Sequence, residues 1–269
     1  MVQTHPRPPP PNPAINHDER AFTMRVLLTN DDGIASPGLH ELATHFTGLG
    51  HDVIVVAPNM DVSGCGTGVG RARPDQRPDS VESDLGTTGL RGFAIQGTPG
   101  LAVMAAVFGR FGAVPDIVVS GINAGINCGH VVLHSGTVGG ALTAQTFGVP
   151  GLAVSLQSGG SWRWSEAAEV AGRLIPWVVA MPRALAVNVN VPNLPIQQYA
   201  GICLARLDTR GTFRIASIES SGLDFEVHWP ADQPEPNSDI ALLRQGFVTV
   251  TPLTALSHPD DPLPALPEM

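Results

Sequence analysis

The sequence predicts an α/β fold: a mostly parallel sheet with helices on both faces, followed by a C-terminal β-rich extension. Three observations carry this. Short apolar, partly β-branched runs alternate with helix-spaced segments from Met24 to about residue 198. Several of the runs are apolar throughout, as in strands buried on both faces. Beyond about Tyr199 the helical spacing gives way to successive short strand-like runs.

In chain order, residues 1–23 hold six prolines by Pro13 and no apolar signal-peptide core, and read as a disordered extension. Met24 is a candidate translation start. Arg25–Thr29 is a buried strand that ends in Asn30-Asp31-Asp32-Gly33. From Pro37 to Phe46, Leu39, Leu42 and Phe46 fall near helical spacing, with Pro37 close to the helix start. Val53–Ala57 is a second buried strand, closed by Pro58. Asn59 to Gly92 is a long surface segment rich in Gly, Pro, Asp, Arg and Ser, with room for small strands. Phe93–Gln96 reads as a strand, Leu101–Phe111 as a helix, and Asp116–Val119 as a strand running into Ser120-Gly121-Ile122-Asn123. Thr137–Phe147 reads as a helix and Gly151–Leu156 as a strand. Ser165–Ala180 reads as a helix strained in its last turn by Pro176, and Ala184–Val191 as a strand. In the extension, placed at 199–256 and returning to the core, Gly201–Leu207, Phe213–Ile218 and Phe247–Thr251 are the strand-like runs. The Pro/Asp-rich tail from Ser257 reads as loose.

Composition narrows the chemistry. The chain has 269 residues, 43% of them apolar and only 14% charged, which supports a sizeable core and excludes a disordered chain. All fifteen basic residues are arginine. The missing lysine excludes a Walker-type phosphate loop, a Schiff base and a lysine general base. A net charge of −9 leaves no electrostatic footprint for duplex nucleic acid. Small anions would have to be held by a metal ion, locally placed arginines or backbone amides. Cys65, Cys128 and Cys203 are odd in number and form no C-x-x-C, so free thiols of a reducing cytoplasm fit best. No apolar run approaches the ~18 residues of a membrane span.

In open α/β sheets the ligand site lies beyond the carboxyl ends of the strands. The small polar residues of this chain collect there. Adjacent carboxylates at the end of a buried strand, Asp31 and Asp32, are costly unless paired or metal-bound, and no basic residue lies near in sequence. With Ser63 and Asn123 they offer an all-oxygen donor set for a hard divalent cation. A turn or helix cap by either aspartate is the plainer alternative. Ser135-Gly136-Thr137 precedes a helix and can cradle phosphate through amides and hydroxyls; an ordinary N-cap is its alternative. Rival motifs fail. The glycines at 64, 66, 68 and 70 miss the dinucleotide spacing and stand well after the strand. Leu133 stands where a nucleophile elbow at Ser135 needs glycine, and His134 beside it reads as a loop histidine that is solvated or a passive hydrogen-bonder.

Together these blocks resemble the SurE family of survival-protein nucleotidases. The resemblance rests on Leu27–Gly33 with Pro37-Gly38, Val55–Pro58 with Ser63-Gly64, and Gly97-Thr98-Pro99. It continues through Pro115–Asn127, Ser135–Val138, Asn188–Pro192, Asp239-x-Ala-Leu and Gly246–Leu253, spanning Met24 to about Leu256. It implies a Rossmann-like core with a C-terminal extension exchanged between subunits of a homodimer or homotetramer. It also implies a metal-dependent phosphatase acting on nucleoside 5′- and 3′-monophosphates, with some members trimming short polyphosphate. Carried over by position, Asp31, Asp32, Ser63 and Asn123 hold one Mg²⁺ or Mn²⁺ per subunit. Asn127, Ser135, Gly136 and Thr137 contact phosphate. Asp31 and Asp32 are the catalytic pair, with Asp31 the favoured acceptor of the proton of the attacking water. This chain departs from the family between Ala57-Pro58 and Ser63-Gly64. Asn59-Met60-Asp61-Val62 stands where Asp-Arg-Asn-Arg is usual, so two arginines are missing. His134 replaces the usual tyrosine, and Cys128-Gly129-His130-Val131 and Gly100-Leu101-Ala102 also differ. A weakly active or inactive nucleotide-binding relative is the alternative these changes raise.

Overall fold

The computed structural model describes residues 23–70, 79–85, 90–181, 184–209, 212–219, 222–228 and 234–254. The Pro-rich stretch before Thr23 and the tail from Ser257 lie outside them. The elements are β1 (Arg25–Thr29), α1 (Pro37–Gly48), β2 (Asp52–Pro58), β3 (Ser80–Ser83), β4 (Arg91–Ile95), α2 (Pro99–Val107), β5 (Ile117–Ala124), α3 (Gly136–Thr146) and β6 (Gly151–Leu156). There follow α4 (Trp164–Val179), β7 (Ala186–Val191), β8 (Gly201–Leu204), β9 (Thr212–Glu219), β10 (Gly222–His228), α5 (Asp239–Leu243) and β11 (Phe247–Leu253).

The all-apolar strands are explained by where they lie. The main sheet has the order β3-β4-β2-β1-β5-β6-β7-β11-β8, and the six strands from β4 to β7 are mutually parallel. β1 is central, so its alternate residues feed opposite cores. Val26 and Leu28 pack with Leu39, Leu42 and Phe46 of α1, whereas Leu27 packs with Val103 and Ala106 of α2 and Ala144 of α3. The chain runs outward from β1 to β2 and β4, then returns through α2 to β5 on the other side of β1. The strand order therefore reverses between β1 and β5, which makes their carboxyl ends the switch-point crevice of the sheet.

Several boundaries differ from the sequence reading. α2 starts at Pro99, because Thr98 caps it by accepting the Leu101 N–H at 3.2 Å, and it ends at Val107. β5 runs on through Asn123 to Ala124. A bulge between Ser120 and Asn123 lets it stay paired with β6, where Asn123 lies opposite Ser155. The bulge requires glycine: Gly121 has φ +144°, and a Cβ there would lie 2.4 Å from Val154 O. Pro176 lies within α4, on its exposed side. Residues 199–256 add two strands to the main sheet, β11 antiparallel to β7 and β8 parallel to β11, and contain the separate β9–β10 hairpin. β10 and α5 had no counterpart in the sequence reading.

Candidate active site

Three chain segments meet at the switch point. The first is the exit of β1. Asn30 is buried and turns inward, its Nδ2 donating to Gly33 O at 3.1 Å and to Ser36 Oγ at 2.6 Å. Ser36 in turn caps α1. The second is the loop after β2. It is laced to the first by Ile34 N–H to Pro58 O at 2.8 Å and Val62 N–H to Asp31 O at 2.8 Å. Gly33, at φ +98°, makes this close approach possible, since a Cβ there would lie 3.1 Å from the Met60 backbone. The third is the start of α3, whose first turn packs on the second loop. Gly66 N–H donates to His134 O at 3.0 Å.

Asp31 is the centre of this junction. It is 3% exposed. Its Oδ2 accepts the Gly136 N–H at 2.9 Å, and its Oδ1 accepts the Thr137 hydroxyl. The carboxylate thus occupies the N-terminus of α3, where the partial positive charge of the helix favours an anion. Ser135 is the N-cap, accepting the Val138 N–H at 3.1 Å. The helix terminus therefore serves the protein's own carboxylate, and Ser135 acts as its cap. Asn123, at the end of β5, donates to Gly125 O at 2.9 Å and places Oδ1 3.4 Å from Thr137 Oγ1. Ser63 is exposed on the second loop, its N–H donating to Asp61 Oδ1 at 2.8 Å.

Asn127 lies in a different network, although next to the same edge. Its N–H donates to Asn190 Oδ1 at 2.8 Å and its Nδ2 to Ser155 Oγ at 2.8 Å. Its carbonyl accepts from Asn188 Nδ2 at 2.7 Å and Asn190 Nδ2 at 3.0 Å. Asn188 and Asn190 are two apart on β7, hence on one face. Sequence reading had noted these two only as part of a motif block. The 128–129 turn beyond is fixed by Asp239 Oδ2, which accepts the Gly129 N–H at 2.8 Å.

The site crowds buried carboxylates together. Burial, opposed by the Thr137 hydroxyl and the Gly136 and Thr137 amides, raises the Asp31 carboxyl above its usual range. Asp32 is pushed up to about 7, by burial first and then by the charges of Asp31 and Asp61. Its Oδ2 is buried with no hydrogen-bond partner. Asp61, a third carboxylate, was missed in the sequence because only the lacing of the two loops brings its charge to bear on Asp32. Among the described residues the ion pairs, Arg25–Asp52, Arg163–Glu166 and Arg173–Glu169, involve none of these acids. A hard divalent ion on Asp31, Asp32 and neutral oxygens from Ser63 and Asn123 fits the donor chemistry. Among the described residues no three His, Cys, Asp or Glu side chains converge as a metal-binding group, so such an ion would depend on those neutral oxygens.

The family model described as "Survival protein SurE" matches residues 26–213. The 5′-nucleotidase SurE of Gloeobacter violaceus is 36% identical over 240 residues, covering 86% of this chain and 89% of that protein. The 5′-nucleotidase SurE of Carboxydothermus hydrogenoformans is 33% identical over 243 residues, 86% and 90% of the two chains. The crystal structure of the SurE protein from Aquifex aeolicus superposes with a TM-score of 0.71 at 29% identity, over 86% of this chain and 93% of that one. Matched over most of its length by the family model and by these relatives, the chain belongs to the survival protein SurE family.

Proposed function

We propose that this chain is a divalent-metal-dependent phosphomonoesterase, a 5′-nucleotidase that also hydrolyses nucleoside 3′-monophosphates and short polyphosphate. The observation that carries the reading is the pair Asp31–Asp32 at the switch point, with a buried, unpartnered oxygen on Asp32 and, among the described residues, no ion pair to either. Asp31, Asp32, Ser63 and Asn123 would hold one Mg²⁺ or Mn²⁺. The ion, when bound, supplies Lewis-acid polarisation of the phosphoryl group and acidifies water.

The chain's own residues divide the remaining work. Both oxygens of Asp31 are committed to Gly136 and Thr137, so its role is to fix the site's charge and geometry. Asp32 keeps Oδ2 uncommitted, so it is the better placed proton acceptor for the attacking water. Ser135 Oγ accepts from Val138 and so retains its own O–H to donate to a phosphate oxygen. Asn127 has spent one of its two Nδ2 hydrogens on Ser155 and can offer the second. Gly136 and Thr137 complete the phosphate contacts by holding the helix terminus toward the site.

The protein would work in the cytoplasm as a homodimer or homotetramer built through residues 199–256. Exposed Ile202 and Leu204 on the edge strand β8 support that assembly. Among the described residues no helix is long and apolar enough to cross a membrane. The decisive experiment is a panel of 5′- and 3′-nucleoside monophosphates and short polyphosphates, each with Mg²⁺, Mn²⁺ and chelator. Phosphate release that needs the metal is expected. Stoichiometric nucleotide binding without release from any substrate would instead identify a binding protein.

A further inference from the structure

The loop that leaves β6 carries a feature the proposed chemistry does not use. Trp162 and Trp164 stack with ring centroids 4.8 Å apart and planes within 12°. Trp164 is anchored, packing on the edge of the main core. Trp162 rides on it and is 39% exposed. Aromatic residues are only 5% of this chain, and two of its four tryptophans stand here.

The loop is held in shape. Asn193, just beyond β7, donates its Nδ2 hydrogens to Gly159 O and to Ser161 O, the latter at 3.2 Å, and accepts the Arg163 N–H at 3.1 Å. Gln157 N–H donates to Val191 O at 2.9 Å. The positive φ of Gly159 and Gly160 makes the turn. At its start the loop lies beside the turn after β5: Asn123 pairs with Ser155 on β6, and a Cβ on Gly125 would lie 3.8 Å from Ser158 Oγ and 3.8 Å from Asn123 Nδ2. From Ser158 to Trp162 is four residues, at most about 14 Å of chain even if fully extended. The tryptophan pair therefore lies at the same carboxyl edge as the aspartates, one strand over from β5.

We propose that Trp162, braced by Trp164 and the Asn193-pinned loop, is the platform on which the nucleobase of the substrate stacks, a specificity-determining residue for the nucleotide over a phosphate ester without a base. The inference rests on the phosphatase reading for its substrate class. Stacking on an exposed indole tolerates any base, so the site distinguishes nucleotides from sugar phosphates more strongly than it distinguishes purines from pyrimidines. A pre-stacked, pinned pair loses little side-chain freedom on binding, which is why the brace matters.

The test compares the full chain with W162A and W162F on AMP and on ribose 5-phosphate with Mn²⁺, and measures adenosine binding by calorimetry. For W162A, KM for AMP and Kd for adenosine should rise roughly ten-fold. kcat on both esters and KM for ribose 5-phosphate should stay within two-fold, and W162F should recover most of the loss. Unchanged AMP and adenosine affinities, or a matching rise in KM for ribose 5-phosphate, would overturn the platform. If the unaltered protein hydrolyses neither ester, the phosphatase reading fails, and the adenosine measurement still decides the platform on its own.

Discussion

Gly139→Ala asks whether the loop after β2 and helix α3 must dock as closely as the site requires. In an isolated helix this substitution stabilises, by roughly 0.8–1 kcal/mol from propensity. Here the new Cβ would lie 2.0 Å from Gly66 O, 2.5 Å from Gly66 C and 3.0 Å from Thr67 N. The first distance is roughly 1.5 Å short of an ordinary van der Waals separation. All three atoms are backbone, so no side chain can swing aside. Overpacking of this kind costs about 1–3 kcal/mol, and a backbone collision belongs at the upper end. The net effect is a loss of about 1–2 kcal/mol, or a Tm lower by about 2–8 °C for a chain of this size. The loop that yields carries Ser63 and is bonded to Asp31 through Val62. A shift of about 1 Å in catalytic groups can cost on the order of 100-fold, so kcat/KM for AMP should fall about that much. Gly48→Ala is the control, at the end of α1 with nothing within 4 Å of its Cβ. It should be neutral or slightly stabilising. Thermal melts and phosphate-release assays on both variants decide it. A G139A protein with a raised Tm and full activity would refute the close docking of the loop on α3.

Burial, with the charges of Asp31 and Asp61, pushes the Asp32 carboxyl from its ordinary 3.8 up to about 7, so the folded state holds its proton more tightly. The stability this contributes is full below about pH 3.8 and is lost as pH rises through 7; the Tm of chelator-treated protein should fall from pH 5 to 8. Asp32→Asn should flatten that slope in the same melts. It should also abolish the stabilisation by Mn²⁺, which at 100-fold excess over Kd amounts to about 2.7 kcal/mol in the unaltered protein. Asn190→Ala strips two hydrogen bonds from the buried Asn127 backbone and should cost about 2–4 kcal/mol, measurable by denaturant titration. Leu204→Asp should shift the chain toward the monomer in analytical ultracentrifugation if β8 lies in the proposed interface.

Much of the fold was legible because the inner parts of β1 and β2, Val26–Leu28 and Ile54–Ala57, are buried on both faces and so are apolar without interruption, while β6 and β7 remain mostly apolar around Ser155, Asn188 and Asn190. α1, α3 and α4 announced themselves by spacing and flanking residues. The misses have long-range causes. β5 continues past Val119 only because Val154 on the neighbouring strand accommodates a bulge at Gly121. α5 is five residues long, too short for a periodic signal, and is held by Asp239 and Ser238. At the site, the gathering of Asp31, Asp32 and Asn123 followed from strand ends alone. The engagement of Asp31 by Gly136 and Thr137 spans more than 100 residues and has no local signature. The same is true of Asn188 and Asn190, whose side chains acquire meaning only when β7 lies beside β6. Asp61 was visible as a letter but not as a neighbour, until the two loops were seen laced together.

The central claim is that the Asp31–Asp32 pair is a metal-dependent phosphatase centre. The most direct measurement is phosphate release from AMP, with Mn²⁺ and with chelator, for the unaltered protein and for Asp32→Ala. Removing the proposed proton acceptor and metal ligand together should cost about 1,000-fold or more in kcat/KM. Melts of the same variant should show that it remains folded. Turnover by Asp32→Ala equal to that of the unaltered protein, or turnover that survives chelation, would contradict the account.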